Sequence, residues 1–506
     1  MGIGTFVALI PPILAIVLCL VSKEVNLSLA AGVVAGALLF TGFDPFSAAN
    51  IVIEVGSSEV GDNFAIIAFL VLLGMMVALM NVSGASRRYA DWATRKIKTK
   101  RTSLLATVAL GVIIFMDDYF SCLTVGTVMR PITDTKKISR EKLAYIIDST
   151  AAPVCIIAPV SSWAAAVSSS LPEGSAIDGF QLFMQTIPAN FYAIFSIIMV
   201  LIVIIGGFNM GMMKRDEAAA ENGTYEYTEL AEAEDETLGN GKIVDLVLPV
   251  IVLIFFCLLG MLYTGGLFEG VGIAQAFADC DAGTGLTIGA LFSLVVTAII
   301  YLPRRVITWR TFMECLLTGT KLMIQPILIL FFAWTLSAIC GEGYLDAGGF
   351  VSGLLSQESL ALGFLPALFF LVGLGLAFAT GTSWGTFAIL LPIGVTVLGD
   401  SITPLMVICC AAILGGAVAG DHLSPISDTT IMSSTGAGCV HVKHVSTQLP
   451  YGLTVAAISV VCYLVSGFTQ NYVLGLVLGL VLLAATYLIG RVTFAKPIQA
   501  TPAEQS

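Results

Sequence analysis

The sequence predicts an all-α, polytopic membrane protein with about 11 spans and two re-entrant hairpins. Of its 506 residues, 57% are apolar and only 11% are charged, which is too little charge for the surface of a soluble protein of this length. Apolar runs of about twenty residues recur along the chain, and each is long enough to cross a hydrocarbon core as a helix. Because the runs lack the alternation of barrel strands, helices are the spanning structure that lipid permits.

Two strongly basic loops indicate the orientation of the first half. They are residues 87–101 and 130–142, and short loops on the cytoplasmic side of a membrane collect Lys and Arg. Residues 102–129 between them are mostly apolar, yet both flanks favour the same side. We therefore predict a hairpin that enters and returns, broken near Asp117 and Asp118. Broken backbone at membrane depth is tolerated only inside protein or beside a water-filled cavity, so the hairpin is a candidate site.

The other apolar runs form two sets of five predicted spans. The first set lies near 4–21, 27–42, 63–82, 143–168 and 182–207, the second near 243–264, 285–302, 320–340, 402–434 and 449–467, and a last span near 471–490. The second set has its own hairpin at 359–399, interrupted at residues 380–385. Because five crossings turn the second set upside down, we predict inverted-topology repeats with a site on broken helices near the midplane.

These spans divide the chain into four segments. They are the first repeat at 1–208, an acidic cytoplasmic linker at 209–242, the second repeat at 243–468, and a last span with a cytoplasmic tail at 469–506. The linker is poor in large aliphatic residues and is predicted to be a flexible connector. The first predicted span has no basic leader and no small-residue cleavage site, so we expect it to be retained. The loop charges place the N-terminus outside and the C-terminus in the cytoplasm.

A shift of 266 residues produces an echo of this repeat in the sequence. It aligns Asp134 with Asp400, Ala151 with Ala417, Pro159 with Pro425, Ser161 with Ser427 and Ser168 with Ser434. The segment 158–162 thereby lies over the segment 424–428. The agreement of this echo with the topology drawn from loop charges favours a true internal repeat.

The ionisable residues inside the predicted spans and hairpins are almost all aspartates. A charged side chain costs about 3 kcal/mol at the centre of a membrane helix on insertion scales. Asp117 and Asp118 lie in the first hairpin, and Asp421 and Asp428 lie in a later span. No Lys or Arg lies deep in these segments, so the carboxylates must be protonated or hold a cation. This is the chemistry of a sodium–proton exchanger, and we predict these four aspartates as its ion- and proton-binding residues.

Sodium prefers hard oxygen ligands, which carboxylates, hydroxyls and freed backbone carbonyls supply. The candidate hydroxyl ligands are Ser161, Ser162, Thr382, Ser383, Ser427 and Thr429. Pro159 and Pro425 each remove a helical hydrogen bond and free a carbonyl beside these serines. The predicted metal ligands for Na⁺ are Asp421, Asp428 and Ser383. For each hydroxyl the alternative is a bond to its own backbone or to a neighbouring helix.

Five further polar residues carry weaker signals. Asp148 is as consistent with a helix cap or an interface bond as with a functional role. His422 is equally consistent with a proton relay and with a packing imidazole. His441, Lys443 and His444 are predicted to form a surface cluster in a short cytoplasmic turn.

Three motifs resemble those of the NhaC family of sodium–proton antiporters. They are Asp117-Asp118-Tyr119-Phe120, ATGTSWGT at residues 379–386, and GDHLSPISDTT at residues 420–430. The resemblance extends over both halves and is weakest in the linker and the tail. It implies a bacterial-type plasma-membrane protein that exchanges Na⁺ for H⁺, and it supports Asp117, Asp118, Ser383, Asp421 and Asp428 as site residues. It also implies a scaffold domain and a mobile transport domain that moves as an elevator, often within a homodimer.

One alternative for the transported solute stays open. The wider family that the motifs resemble includes transporters of organic acids or amino acids, such as malate–lactate exchangers. Residues 161–163 read Ser-Ser-Trp where residues 427–429 read Ser-Asp-Thr, which leaves room for Na⁺- or H⁺-coupled transport of a small carboxylate or amino acid. We expect no enzymatic activity and no cofactor beyond the transported Na⁺. The sequence has no basic footprint typical of nucleic-acid binding, so the expected partners are Na⁺, H⁺ and the lipid bilayer.

Overall fold

A computed structural model of the chain describes residues 5–22, 24–85, 88, 96–171, 175, 177–207, 209–225, 239–278, 280–341, 343–346, 362–399 and 401–494. These residues form an all-helical fold without β-strands. Eight helical stretches in this part of the chain are long and apolar enough to cross a membrane, namely Phe64–Val82, Phe191–Asn222, Val244–Thr264, Gly283–Tyr301, Trp309–Cys340, Pro404–Leu423, His441–Thr469 and Tyr472–Gly490. Shorter apolar helices lie at Phe6–Ala15, Val25–Phe40, Leu365–Thr380 and Ser383–Leu398.

The helices are numbered along the chain. The first half contains α1 (Ile10–Ser22), α2 (Val25–Phe40), α3 (Pro45–Asp62), α4 (Phe64–Val82), α5 (Lys100–Ile113), α6 (Asp118–Thr135), α7 (Arg140–Cys155), α8 (Ser162–Ser168), α9 (Gly179–Thr186) and α10 (Phe191–Gly206). Then come α11 (Gly211–Asn222), α12 (Val244–Thr264), α13 (Ile273–Ala278), α14 (Ala282–Tyr301), α15 (Trp309–Leu322) and α16 (Ile324–Cys340). The last helices are α17 (Leu365–Thr380), α18 (Ser383–Leu398), α19 (Pro404–Leu423), α20 (Asp428–Ala437), α21 (His441–Thr469) and α22 (Tyr472–Phe494).

The helical path is interrupted at both positions where the sequence predicts a break within a hairpin. In the first, α5 ends at Ile113 and α6 begins at Asp118. In the second, α17 ends at Thr380 and α18 begins at Ser383, with Gly381 between them in the left-handed region at φ +74°. Glycine reaches this conformation without the steric cost that a Cβ imposes. Residues 359–361 at the start of the second predicted hairpin lie outside the described residues.

Two predicted continuous spans are broken, so that part of the sequence prediction is wrong. The predicted span at 143–168 divides into α7 and α8, with residues 156–161 between them. The predicted span at 402–434 divides into α19 and α20, with residues 424–427 between them. Pro159 and Pro425 lie in these gaps and have no N–H to donate to a helical hydrogen bond.

A capping serine follows each of these prolines and starts the next helix. The Ser161 hydroxyl accepts a hydrogen bond from the amide of Ala164 at 3.1 Å. The Ser427 hydroxyl accepts one from the amide of Thr430 at 3.2 Å. Because an N-cap side chain satisfies amides that a helix start leaves free, each proline–serine pair ends one helix and begins another.

Helices α6 and α20, one from each half, lie side by side and run in the same direction. A Cβ atom on Gly126 of α6 would lie 2.5 Å from the carbonyl carbon of Gly436 in α20, so small residues permit this close approach. At the end of α20, an Nη1 of Arg140 donates to the carbonyl of Gly438 at 2.9 Å. The end of the predicted basic loop at 130–142 thus lies next to the end of α20.

The first part of the acidic linker is an ordered, docked helix and not the flexible connector that its composition predicts. Glu217 of α11 is 5% exposed. Its carboxylate accepts hydrogen bonds from the amide of Ser139 at 2.7 Å and from the hydroxyl of Ser139 at 2.8 Å. Lys142 forms an ion pair with the same carboxylate at 3.3 Å. Composition misled the prediction because the charges of α11 are complementary to the basic loop on which it packs. Residues 226–238 of the linker lie outside the described residues.

Candidate ion-binding site

Backbone hydrogen bonds join the four helix breaks in pairs. The amide of Ser162 donates to the carbonyl of Met116 at 2.9 Å, and the amide of Asp428 donates to the carbonyl of Gly381 at 3.2 Å. Ser162 and Asp428 are 266 residues apart, and Met116 and Gly381 are 265 residues apart. The same tie between two helix breaks therefore occurs twice, within one residue of the 266-residue spacing of the sequence echo.

The structure brings together the four aspartates that the sequence singles out. Asp117, Asp118 and Asp421 are buried, with exposed fractions of 2%, 0% and 1%, whereas Asp428 at the start of α20 is exposed. Tyr119 lies within electrostatic reach of all four carboxyl groups. Two aspartates from each half thus converge on one region, although about 300 residues separate them in sequence.

Both carboxylate oxygens of Asp118 have hydrogen-bond donors. The indole Nε1 of Trp163 donates to Oδ2 at 3.0 Å, and the amide of Tyr119 donates to Oδ1 at 3.1 Å. The ring of Trp163 packs against Trp384 at a centroid distance of 6.0 Å and against Phe387 at 5.1 Å. Aromatic rings from both halves therefore hold the Trp163 indole in place, with its N–H directed at Asp118.

Asp421 has one engaged and one open oxygen. The hydroxyl of Thr429 donates to its Oδ2 at 2.6 Å, and the hydroxyls of Ser427 and Thr429 lie 3.3 Å apart. Its Oδ1 has no hydrogen-bond partner among the described residues. A buried carboxylate oxygen without a donor is costly, so Oδ1, with Asp428 seven residues along the chain, is a position where a cation would be stabilised.

Three predicted hydroxyl ligands, Ser161, Thr382 and Ser427, cap helices. The hydroxyl of Ser161 also donates to the carbonyl of Cys155 at 2.8 Å. These contacts give the three hydroxyls a structural role, and direct ligation of an ion by them stays a prediction. Ser162, by contrast, is fully buried, and its hydroxyl has no hydrogen-bond partner in the described part of the chain.

Ser383, the third predicted sodium ligand, lies at the first residue of α18. Its hydroxyl donates to the carbonyl of Ala417 in α19 at 3.4 Å. Ala417 is one helical turn before Asp421. The structure therefore places Ser383 against the helix that carries Asp421, and its ligation of an ion stays a prediction.

The charges of the site are not balanced by basic side chains. Asp118, Asp421 and Asp428 form no ion pair with Lys or Arg within the described residues. The same residues contain no group of three or more His, Cys, Asp and Glu side chains placed to hold a metal ion. A cation at this site would therefore draw on hydroxyl and carbonyl oxygens in addition to carboxylates.

Asp148 lies at an interface of three helices. The sequence leaves an interface bond and a functional role equally open for this residue. Asp148 is fully buried in α7. It accepts hydrogen bonds from Thr430 at 3.0 Å, from Ser433 at 3.3 Å and from Gln448 at 2.6 Å. The signal that selects the other aspartates, a carboxylate in an apolar run without a basic neighbour, applies equally to Asp148.

The predicted surface cluster of His441, Lys443 and His444 is wrong for His444. These residues form the first turn of α21, and His444 is fully buried, with its Nε2 3.6 Å from Oδ2 of Asp148. The prediction failed because the helix begins earlier than expected and turns His444 towards α7. His441 lies at the edge, where its Nε2 is 2.6 Å from the carbonyl of Pro425.

His422 is buried and has a defined partner. Its Nδ1 lies 3.2 Å from the hydroxyl of Tyr192 in α10. Its backbone carbonyl accepts a hydrogen bond from Gln448 at 2.8 Å. These contacts fix the segment next to Asp421 against α10 and α21.

Apolar spans, helix breaks tied in two matching pairs, and buried carboxylates without basic partners together define a secondary transport protein of the membrane. The profile of the Na⁺/H⁺ antiporter family matches residues 164–468. The chain belongs to this family.

The chain is also similar to several individual proteins. An uncharacterized protein of Haemophilus influenzae is 39% identical over 491 residues, which cover 92% of each chain. The malate-2H⁺/Na⁺-lactate antiporter of Bacillus subtilis is 34% identical over 90 residues, or 18% of this chain and 19% of that protein. A second protein of H. influenzae, named an uncharacterized Na⁺/H⁺ antiporter, is 34% identical over 95 residues, or 18% of this chain and 20% of that one. The crystal structure of the Alcanivorax borkumensis YdaH transporter aligns with a TM-score of 0.43 and 14% identity, over 84% of this chain and 89% of that one.

Proposed function

We propose that the protein exchanges Na⁺ for H⁺ across the plasma membrane. One observation carries this proposal: Asp421 is 1% exposed, has an open Oδ1 and has no basic partner among the described residues. A lone charge in such surroundings is strongly disfavoured. The site is therefore occupied by one Na⁺ or by protons, and the exclusion of one by the other couples their fluxes.

Oxygen ligands for Na⁺ come from both sides of the break between α19 and α20. Asp421 supplies its open Oδ1, and Asp428 supplies an exposed carboxylate. Ser383 contacts the same helix one turn earlier, and Tyr119 interacts electrostatically with Asp117 and Asp118 as well as with these two aspartates. This set of hard oxygens suits Na⁺ better than softer metal ions.

The paired helix breaks support an inverted-repeat architecture with two re-entrant hairpins. In this proposal α5–α8 and α17–α20 belong to a mobile transport domain that moves as an elevator. A scaffold contains α4, α14 and α15, which share a small apolar core separate from the main one. The basic loops favour a cytoplasmic C-terminus and an external N-terminus, and the NhaC resemblance favours a homodimer.

Reconstituted vesicles test the exchange. An outward Na⁺ gradient imposed on proteoliposomes should drive H⁺ inward without any organic solute, as reported by an internal pH dye. Asp421→Asn and Asp428→Asn should each abolish this flux. Asp44→Asn is the matched control, because Asp44 only caps the exposed start of α3 and Asn also caps helices. Absence of Na⁺-driven H⁺ flux in the wild-type protein, with or without added solutes, contradicts the proposal.

Na⁺- or H⁺-coupled transport of a small carboxylate or amino acid is the second candidate function. Two buried donors favour it: the Ser162 hydroxyl and the Nε1 of Trp384 have no hydrogen-bond partner within the described residues. They lie at the starts of α8 and α18, where they could donate hydrogen bonds to the carboxylate of a bound solute. The malate–lactate name of the B. subtilis relative points the same way. Flux or thermal stabilisation that appears only with a carboxylate or amino acid from a solute panel would favour this function over simple exchange.

A further inference from the structure

Asp148 and His444 form a buried carboxylate–imidazole pair between α7 and α21. Both side chains are fully buried, and Nε2 of His444 lies 3.6 Å from Oδ2 of Asp148. Gln448, one turn after His444, donates to the same Oδ2 at 2.6 Å. Thr430 of α20 also donates to this oxygen, at 3.0 Å. Three helices therefore fix the position of the Asp148 carboxylate.

The charge of this pair depends on one proton. Within the described residues, His444 is the only side chain able to carry a positive charge that lies within ion-pair distance of Asp148. An ionised Asp148 beside a neutral His444 leaves a net negative charge in the membrane, which is costly. One added proton, on Nε2 of His444 or on Oδ2 of Asp148, makes the pair neutral.

The first turn of α20 connects this pair to the predicted cation site. Thr429 donates to the carboxylate of Asp421 at 2.6 Å, and the next residue, Thr430, donates to Asp148. The Thr430 hydroxyl also lies 3.4 Å from the backbone carbonyl of Asp421. A cation bound at Asp421 and a proton held by Asp148 and His444 therefore lie on either side of one helical turn, where two positive charges disfavour each other.

We propose that Asp148 and His444 form a proton-binding site separate from the cation site, and that Na⁺ binding at Asp421 and Asp428 expels the proton from it. This inference rests on the proposed Na⁺/H⁺ exchange and names where one exchanged proton resides. The pair holds its proton when the cation site is empty and releases it when Na⁺ is bound.

Other titratable groups also face the pair, and His422 is the one among them that can carry a positive charge. They come from α19, α6 and α10, and are Asp421, His422, Cys122 and Tyr192. Tyr145 of α7 and Tyr451 of α21 stack on each other and line a pocket together with His422 and Gln448. Charged groups also lie at the starts of α7 and α21, where Lys443 forms ion pairs with Glu141 at 3.2 Å and with Asp216 of α11 at 3.0 Å. Glu141 is seven residues, or about two turns, before Asp148.

Proton release on Na⁺ binding separates this role from a purely structural tie. Purified full-length protein in weakly buffered detergent is titrated with NaCl, with KCl as the ionic-strength control, and released protons are counted with a pH indicator. Asp148→Asn keeps the shape of the carboxylate but cannot take up a proton, and a proton on His444 would then be a buried positive charge without its partner. We expect this variant to bind Na⁺ while releasing about one proton fewer per Na⁺ than the wild type. Its apparent Na⁺ Kd should also change about tenfold less per pH unit.

His441→Gln is the matched control, because His441 lies at the edge of the protein and not against Asp148. It should release as many protons as the wild type. If Asp148→Asn does not fold, the double variant Asp148→Asn with His444→Gln serves as the second variant, since neither amide can take up a proton and the same loss of one proton is expected. An unchanged proton count in the folded variant, with Na⁺ binding intact, overturns the inference alone. Absence of Na⁺ binding and of Na⁺-driven H⁺ flux in the wild type overturns the proposed exchange itself.

Discussion

The amide nitrogen of Asp428 donates to the carbonyl oxygen of Gly381 at 3.2 Å, and this contact ties the break before α18 to the break before α20. Met116 and Ser162 make the corresponding contact in the first half at 2.9 Å. In each half, one helix break thus holds the other at a fixed distance. The backbone at Gly381, as well as helix α20 itself, therefore positions the carboxylate of Asp428.

Replacing Gly381 should loosen this tie. Gly381 has φ +74°, and a Cβ there would lie 2.3 Å from the carbonyl oxygen of Ile426. We expect Gly381→Ala to lower stability by about 3 kcal/mol, since a left-handed non-glycine residue alone costs about 1–3 kcal/mol. Thermal unfolding in detergent measures the effect. Gly375→Ala in α17, where nothing lies within 4 Å, is the control and should not destabilise.

Removing the donor to Asp421 should weaken Na⁺ binding. Thr429→Val keeps the branched shape but removes the hydroxyl that donates to Oδ2 of Asp421 at 2.6 Å. A hydrogen bond to a charged group contributes about 1.5–3 kcal/mol, so the KM for Na⁺ in proteoliposome flux should rise by about tenfold or more. Thr429→Ser restores the hydroxyl and should restore the KM. Equal KM values for the Val and Ser variants would count against a role for this contact.

Trp163 should act on Asp118 through its indole N–H. Trp163→Phe keeps the ring packing against Trp384 and Phe387 but removes the donor to Oδ2 at 3.0 Å. The loss of this hydrogen bond should lower the free energy of unfolding by about 2 kcal/mol and slow Na⁺-driven H⁺ flux. Trp309→Phe, at a tryptophan that is 64% exposed, should leave both quantities unchanged. A Trp163→Phe protein that matches the wild type in both assays contradicts this role.

The docked linker helix should depend on one buried ion pair. Glu217→Ala removes the carboxylate that holds Ser139 and leaves the Lys142 ammonium buried with a hydrogen bond to Asn209 at 2.9 Å but without its ion-pair partner. Breaking a buried pair on one side costs about 3–5 kcal/mol, so α11 should detach and become accessible to limited proteolysis. The exposed pair of Lys100 and Glu221 supplies the control, since Glu221→Ala should cost at most about 1 kcal/mol. Identical digestion patterns for the two variants would refute the docking role of Glu217.

Na⁺ itself should stabilise the folded protein. A ligand that binds only the folded state adds about 2.7 kcal/mol of stability at 100 times its Kd. Raising NaCl at constant total salt, with KCl as the replacement, should therefore raise the thermal midpoint of the wild type. Asp421→Asn should abolish this rise without lowering the midpoint in KCl. A midpoint that responds equally to Na⁺ and K⁺ would indicate a general salt effect.

Much of the fold could be predicted from local signals in the sequence. Apolar runs and basic loops predict an all-helical membrane protein, because each span must satisfy its own backbone and loop charge reports the side of the membrane. The same signals locate the breaks near Asp117 and Gly381. They did not predict the full breaks at Pro159 and Pro425, where each proline was expected to remove one helical hydrogen bond within a span although the following serines cap new helices.

The sequence by itself therefore determined that the chain is a helical membrane protein, where two of the four helix breaks fall, and which aspartates without basic neighbours are site candidates. Only the tertiary structure decided which groups meet. Asp148 and His444 are 296 residues apart and pair because α7 packs beside α21. Asp421 acquires one engaged and one open oxygen because α20 turns Thr429 towards it. Periodicity and charge act over a few residues of chain, whereas these contacts arise from helices that are distant in sequence and adjacent in space.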